Sequence, residues 1–227
     1  EYMDRSFQFV LMLVFPLMFG MISIANKFVP IFYGSGYEKV IILINIIVPI
    51  VLAIGLSNVI GTQYLLPTKK QKEYTISVTA GAIVNFVLNM IFIRLWGAVG
   101  ASIATVIAEF TVTGVQFYMV RKEISFLKII KLMRNYVIAS IIMLVMSLIA
   151  GKIITNNIIS IMIQILIAGA IYFILLFFIY SIIFLNTFLC SNLLKSPNIS
   201  LSDNFTNGLS KCMSAICTNF IFSPYFS

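Results

Sequence analysis

Few side chains in this chain could do chemistry, and most of them lie inside apolar runs. Glu109 sits near the middle of the run 95–120 as its single charge. A carboxylate at bilayer depth is costly and usually functional. Taken out of water, a carboxyl favours its neutral form and can bind and release a proton. Glu109 is therefore a candidate for a coupling ion or for ligand contact, with hydrogen-bonded helix glue as the other reading. Lys27, next to Asn26 near the far end of the first run, could offer its charge to an anionic group or snorkel to the interface. A direct pair with Glu109 is not expected, because their depths differ by about 10 Å at 1.5 Å per residue. Ser77, Gly81, Asn85 and Asn89 recur every four residues, which places them on one helix face. Ser102, Thr105, Glu109, Thr113 and Gln116 form a second such face. The two faces read as a cavity wall or as an internal helix seam; Asn85 and Asn89 could bond ligand hydroxyls or bond across helices.

Other chemistries lack their residues. A membrane-embedded transferase needs a general base or metal ligands, yet the chain has no His and seven acidic residues. It is not expected to be an enzyme. Cys190, Cys212 and Cys217 match no zinc spacing and are odd in number, so free thiols are expected, with no metal and no cofactor. The acceptor patterns at Asn198 and Asn204 should stay silent on a cytoplasmic tail.

These residues must be positioned by membrane-spanning helices. About 20 apolar residues of helix cross a hydrocarbon layer, and such runs occupy residues 6–31, 41–62, 74–93, 97–120, 132–154 and 158–185. In the fifth, Arg134 and Lys152 can snorkel at the ends. With 61% hydrophobic and 10% charged residues, the composition lies far from the soluble norm of about 25% charged. Continuous runs favour helices over barrel strands, which alternate. The fold class is thus an all-α integral membrane protein with six transmembrane helices. Residues 186–227, rich in Ser, Asn, Thr and Phe, read as a polar, disordered cytoplasmic tail or the product of an altered reading frame.

Basic connectors stay on the cytoplasmic side. Alternate connectors place Arg5, then Lys69, Lys70 and Lys72, then Arg121, Lys122, Lys128, Lys131 and Arg134, then Lys195 and Lys211 on one side, against Lys39, Arg94 and Lys152 on the other. Both termini are expected to be cytoplasmic. The net charge of +8 is then mainly an orientation signal, and no nucleic-acid partner is expected. Lys128, Lys131 and Arg134 recur every three residues among apolar neighbours. They fit an amphipathic helix on the inner leaflet, in contact with anionic lipid, or simply a basic loop that fixes topology. Pro16 and Pro49 lie within spans and should interrupt their backbone bonds.

Several loop and span motifs follow one another in a telling order. Pro16-Leu-Met-Phe-Gly20 leads through Ala25-Asn26-Lys27 to the turn Gly34-Ser-Gly36-Tyr37; then come Gly61-Thr-Gln63-Tyr64-Leu-Leu-Pro67-Thr68, Gly81-Ala-Ile-Val-Asn85-Phe-Val-Leu-Asn89 and Gly97-Ala-Val-Gly100-Ala-Ser-Ile-Ala104-Thr. The succession resembles the polysaccharide flippases of the multidrug/oligosaccharidyl-lipid/polysaccharide exporter superfamily, over about residues 5–135. The resemblance implies a V-shaped transporter of two helical lobes, here the C-terminal six-helix lobe over residues 1–185, moving undecaprenyl-pyrophosphate-linked oligosaccharide repeat units for capsule, O-antigen or exopolysaccharide by alternating access. It implies no catalytic residues.

The chain opens at Glu1 on a run without signal-peptide character and reads as the later part of a longer polypeptide. Expected partners are the N-terminal lobe of that polypeptide, the lipid-linked oligosaccharide, membrane lipids and a polysaccharide polymerase, and the expected location is a bacterial cytoplasmic membrane. A multidrug or small-cation antiporter of the same superfamily is the alternative. It would favour acidic and aromatic cavity residues, of which only Glu109 is clearly acidic and intramembrane.

Overall fold

The structure is a computed structural model and describes residues 2–124, 126–153 and 157–195. Its helices are α1 (Tyr2–Tyr33), α2 (Glu38–Ile47), α3 (Ile50–Ser57), a π-helical segment Asn58–Leu65, α4 (Gln71–Trp96), α5 (Ala98–Val120), α6 (Phe126–Ile153) and α7 (Asn157–Lys195). Six stretches are long and apolar enough to cross a membrane, with α2, α3 and the π-helical segment together making one of them, Glu38–Leu65. The fold is all-α, as the apolar runs required.

The chain divides into two compact units, Glu1–Tyr172 and Phe173–Ser227. In the second, the described residues 173–195 belong to α7, which runs past the expected end of the span at Leu185. Cys212, Cys217 and the acceptor patterns at Asn198 and Asn204 lie outside the described residues.

Within the first unit the packing order follows from the contacts. Helix α1 lies against α2, α3, the π-helical segment and α6, whereas α5 lies against α2, α3, α4 and the π-helical segment. The buried face of α1 is Phe7, Leu11, Val14, Phe15, Ala25 and Val29, a three-or-four spacing that one helical stripe produces. Close approach depends on glycine. A Cβ on Gly55 of α3 would stand 2.8 Å from Val14 Cγ2. The α4–α5 hairpin turns on Gly97 at φ +58°, a left-handed value that suits glycine. A Cβ on Gly100 would overlap the Phe92 carbonyl, and one on Gly81 would overlap Val112.

Pro16 and Pro49 behave differently. At Pro49 the helix stops, and the chain turns through Val48 and Pro49 between α2 and α3. Pro16 lies inside an unbroken α1. Both lack an N–H, but Pro16 is flanked by buried Val14 and Phe15, packing that holds the helix straight enough to continue.

The π-helical winding has local causes. The Leu66 N–H donates to the Gly61 carbonyl at 3.1 Å, five residues back. Thr62 Oγ1 donates to the Asn58 carbonyl at 2.6 Å, competing with the backbone bond that an α-turn would make there. Gly61 also presses on its neighbours: a Cβ would lie 2.8 Å from Tyr74 Cε2 and 2.9 Å from Gln116 Nε2.

Candidate functional site

The candidate residues separate into buried seams and exposed faces. Thr113 and Gln116 belong to a seam among α3, the π-helical segment, α4 and α5. Thr113 Oγ1 donates to the Ala53 carbonyl at 2.9 Å. Gln116, wholly buried, donates through Nε2 to Ser77 Oγ at 3.2 Å. Its Oε1 has no hydrogen-bond partner among the described residues. Ser102 is also buried on this face. Of the alternatives open for these residues, their burial matches the internal seam.

Glu109 shares the helix and is half-buried. Its carbonyl accepts from Thr113 Oγ1 at 3.0 Å; its carboxylate has no hydrogen bond or ion pair among the described residues. Asn85 and Asn89 are likewise half-buried. Asn89 Nδ2 donates to Asn85 Oδ1 at 2.8 Å and to the Asn85 carbonyl at 2.9 Å. That bond runs along α4 rather than across to α5, so it leaves the Asn85 amide N–H groups and Asn89 Oδ1 available on the surface.

Lys27 reaches across to α6 and α7. Its Nζ donates to the Gly151 carbonyl and, at 2.6 Å, to Ser160 Oγ. Gly151 lies in the last turn of α6, where carbonyls lack intrahelical partners and the helix dipole is negative. Lys27 thus caps α6 and holds the first turn of α7. One turn deeper, Ser147 Oγ donates to Ser23 Oγ at 3.1 Å, and Gln164 Nε2 donates to the Ser147 carbonyl at 3.2 Å. Farther along, Tyr172 Oη donates to the Met12 carbonyl at 2.8 Å. This ladder was not read from the sequence. Its members fall in three pairs spaced by four, Ser23 with Lys27, Ser147 with Gly151, and Ser160 with Gln164, a spacing that puts each pair on one helix face but does not name its partner helix.

At the opposite end of these helices, Lys70 and Tyr64 both donate to the Glu123 carboxylate. The contact joins the connector before α4 to the one after α5. The Lys70 ammonium, then the Tyr64 hydroxyl, hold the Glu123 carboxyl below its usual range; Glu123 in turn raises Lys70. Lys131 and Arg134 are exposed on the first turns of α6. Residues 126–153 form one unbroken helix, so the basic stretch around Lys128, Lys131 and Arg134 is helical and continues into the span.

Comparison with known proteins places this geometry. No protein-family model matches the chain. Over 99 residues, 44% of this chain, it is 32% identical to the "Putative O-antigen transporter" of Escherichia coli (strain K12), and the match spans 24% of that protein. In fold it is similar to a solved structure of the lipid II flippase MurJ in an inward closed conformation, with a TM-score of 0.68 and 23% identity, over 79% of this chain and 38% of the other. Both findings bear out the resemblance read from the motifs. The chain thus spans about a quarter of the curated relative and well under half of the solved one, and it is a multi-pass membrane protein of transporter fold.

Proposed function

We propose that this chain is one lobe of a flippase that carries undecaprenyl-pyrophosphate-linked oligosaccharide repeat units across a bacterial cytoplasmic membrane, for O-antigen, capsule or exopolysaccharide. The observation that carries the proposal is the coincidence of two independent likenesses, a sequence match to an O-antigen transporter and a fold match to a lipid II flippase. Physical demands agree. An anionic, hydroxyl-rich headgroup cannot cross hydrocarbon unaided, so a polar path must be built between helices. In the proposal, two lobes rock about a central path, and the hydrogen-bonded seams of this chain would hold its helices together during that motion.

In this reading residues 1–185 form the C-terminal lobe and the rest of the polypeptide supplies the other, with both termini of this chain cytoplasmic. Asn85, Asn89 and the half-exposed Glu109 contact the headgroup, and Glu109 is the group that exchanges a coupling ion. Lys128, Lys131 and Arg134 hold anionic lipid at the inner leaflet. A polysaccharide polymerase accepts the delivered units.

The test is complementation of a flippase-deficient strain with the full-length protein, scored by surface polysaccharide. Restored polymer supports the proposal, and a further loss with Glu109→Gln supports the coupling role. A full-length protein that leaves polymer absent but lowers accumulation of a cationic dye would move the assignment to the drug or cation antiporter.

A further inference from the structure

The π-helical segment carries a feature that none of the roles above uses. Asn58, Thr62 and Gln63 are exposed although they lie within the span Glu38–Leu65. Asn58 lies seven residues inside the Leu65 end of that span, and Thr62 and Gln63 three and two residues inside it. A polar side chain well inside a span, as Asn58 is, is costly against lipid and ordinarily faces protein or a wet cavity. These three make no hydrogen bond to another element among the described residues. They bond one another instead: Thr62 Oγ1 donates to Asn58 Oδ1 at 2.9 Å, and Gln63 Nε2 donates to the same oxygen at 3.4 Å.

That internal bonding fixes what remains on offer. With Asn58 Oδ1 occupied, its Nδ2 donates to no described residue and Gln63 Oε1 remains an acceptor. The wide winding is what gathers the three side chains on one patch, and such π-helical departures recur at functional sites. The patch is neutral and presents donors and an acceptor together. Sugar hydroxyls, each a donor and an acceptor, match such a surface; a pyrophosphate would ask for cations.

We infer that Asn58, Thr62 and Gln63 form a wet, uncharged wall that contacts the hydroxyls of the sugar part of the headgroup. The inference rests on the flippase reading for its ligand but not for its wetness. The experiment takes the full-length protein with Cys190, Cys212 and Cys217 replaced by serine. Single cysteines are placed at Asn58→Cys, at Ile83→Cys on the apolar surface of α4 and at Ser35→Cys in a loop. Unsealed membrane fragments are treated with a charged, membrane-impermeant thiol reagent. Asn58→Cys should react about tenfold or more faster than Ile83→Cys and approach Ser35→Cys, because the reactive thiolate needs water.

In parallel, Asn58→Ala with Gln63→Ala should cut surface polysaccharide severalfold at unchanged protein level. An Asn58→Cys no faster than Ile83→Cys overturns the wet wall. Fast labelling with full polymer from the double alanine variant overturns the sugar contact. If the unsubstituted protein restores no polymer, the flippase reading fails and takes the sugar ligand with it, while the labelling rates still decide the wall.

Discussion

A lysine ties helices together at each end of the first unit, and the two do so in opposite ways. Lys27 is half-buried, and a helix-end carbonyl and a serine hydroxyl accept its hydrogen bonds. Lys70 meets Glu123 directly, with the two side chains 33% and 39% exposed. Ion pairs in that setting contribute little, because water screens both charges. A charge removed from water depends on every bond it makes. The lesson is that a half-buried lysine bonded to two helices depends more on its partners than an exposed ion pair does.

The comparison breaks most easily at Lys27. Lys27→Met deletes the cation that caps α6 and leaves Gly151 and Ser160 without their donor. Hydrogen bonds to charged groups are worth roughly 1.5–3 kcal/mol, so the purified protein should lose stability on that scale. Retention of a monodisperse species after stepwise heating in detergent measures it. Lys27→Arg should recover part of the loss. A variant as heat-resistant as the parent would mean that the ladder of Ser23, Ser147, Ser160 and Gln164 holds without its charge.

A smaller effect is expected midway, where bonding is neutral. Thr113→Val keeps the shape but removes the donor to the Ala53 carbonyl, a change of about 1 kcal/mol. Gln116→Leu removes the bond to Ser77 and with it the buried Oε1 that lacks a partner. Replacing such a group by an apolar one of similar shape can be nearly neutral. If Gln116→Leu matches the parent in the heating assay yet lowers surface polysaccharide, its amide has a use in transport beyond packing.

The sequence makes the spans easy to see and their partners hard. Hydropathy alone gives six helices, since a bilayer imposes a length on every crossing. Face spacing finds that Ser102, Thr113 and Gln116 share a stripe, and the structure turns that stripe inward. It could not tell which neighbour Lys27 meets, because Gly151 and Ser160 lie far along the chain and a bond to a carbonyl leaves no trace in residue type. The wide turn at Gly61 is also hidden. It arises from Tyr74 and Gln116 crowding a glycine and from Thr62 capturing a carbonyl, three conditions met only once the helices are packed. At Lys128, Lys131 and Arg134 the sequence leaves a surface helix and a basic loop both open, because a basic, apolar repeat looks alike on a surface helix and on the first turns of a spanning one.

The smallest effect is predicted at the exposed clasp. Glu123→Gln keeps the side-chain shape and can still accept from Tyr64, but it loses the charge that Lys70 binds. Heat resistance should barely change, and raising salt should erase what difference there is, because screening reaches exposed pairs first. The pH dependence has a definite sign. The Glu123 carboxyl is held below its usual range, chiefly by Lys70 and then by Tyr64, so its contribution is present above the ordinary carboxylate value and fades as pH falls through the lowered one. Lys70 is raised, first by its bond to Glu123; its share is intact below the ordinary lysine value and fades as pH rises through the raised one. The clasp is therefore at full strength near neutrality and opens toward either extreme. Heating curves of parent and Glu123→Gln should converge in acid and separate slightly at neutral pH and low salt. A large separation that persists in high salt would show that this end, and not the Lys27 end, carries the shielded charge, and the comparison would be reversed.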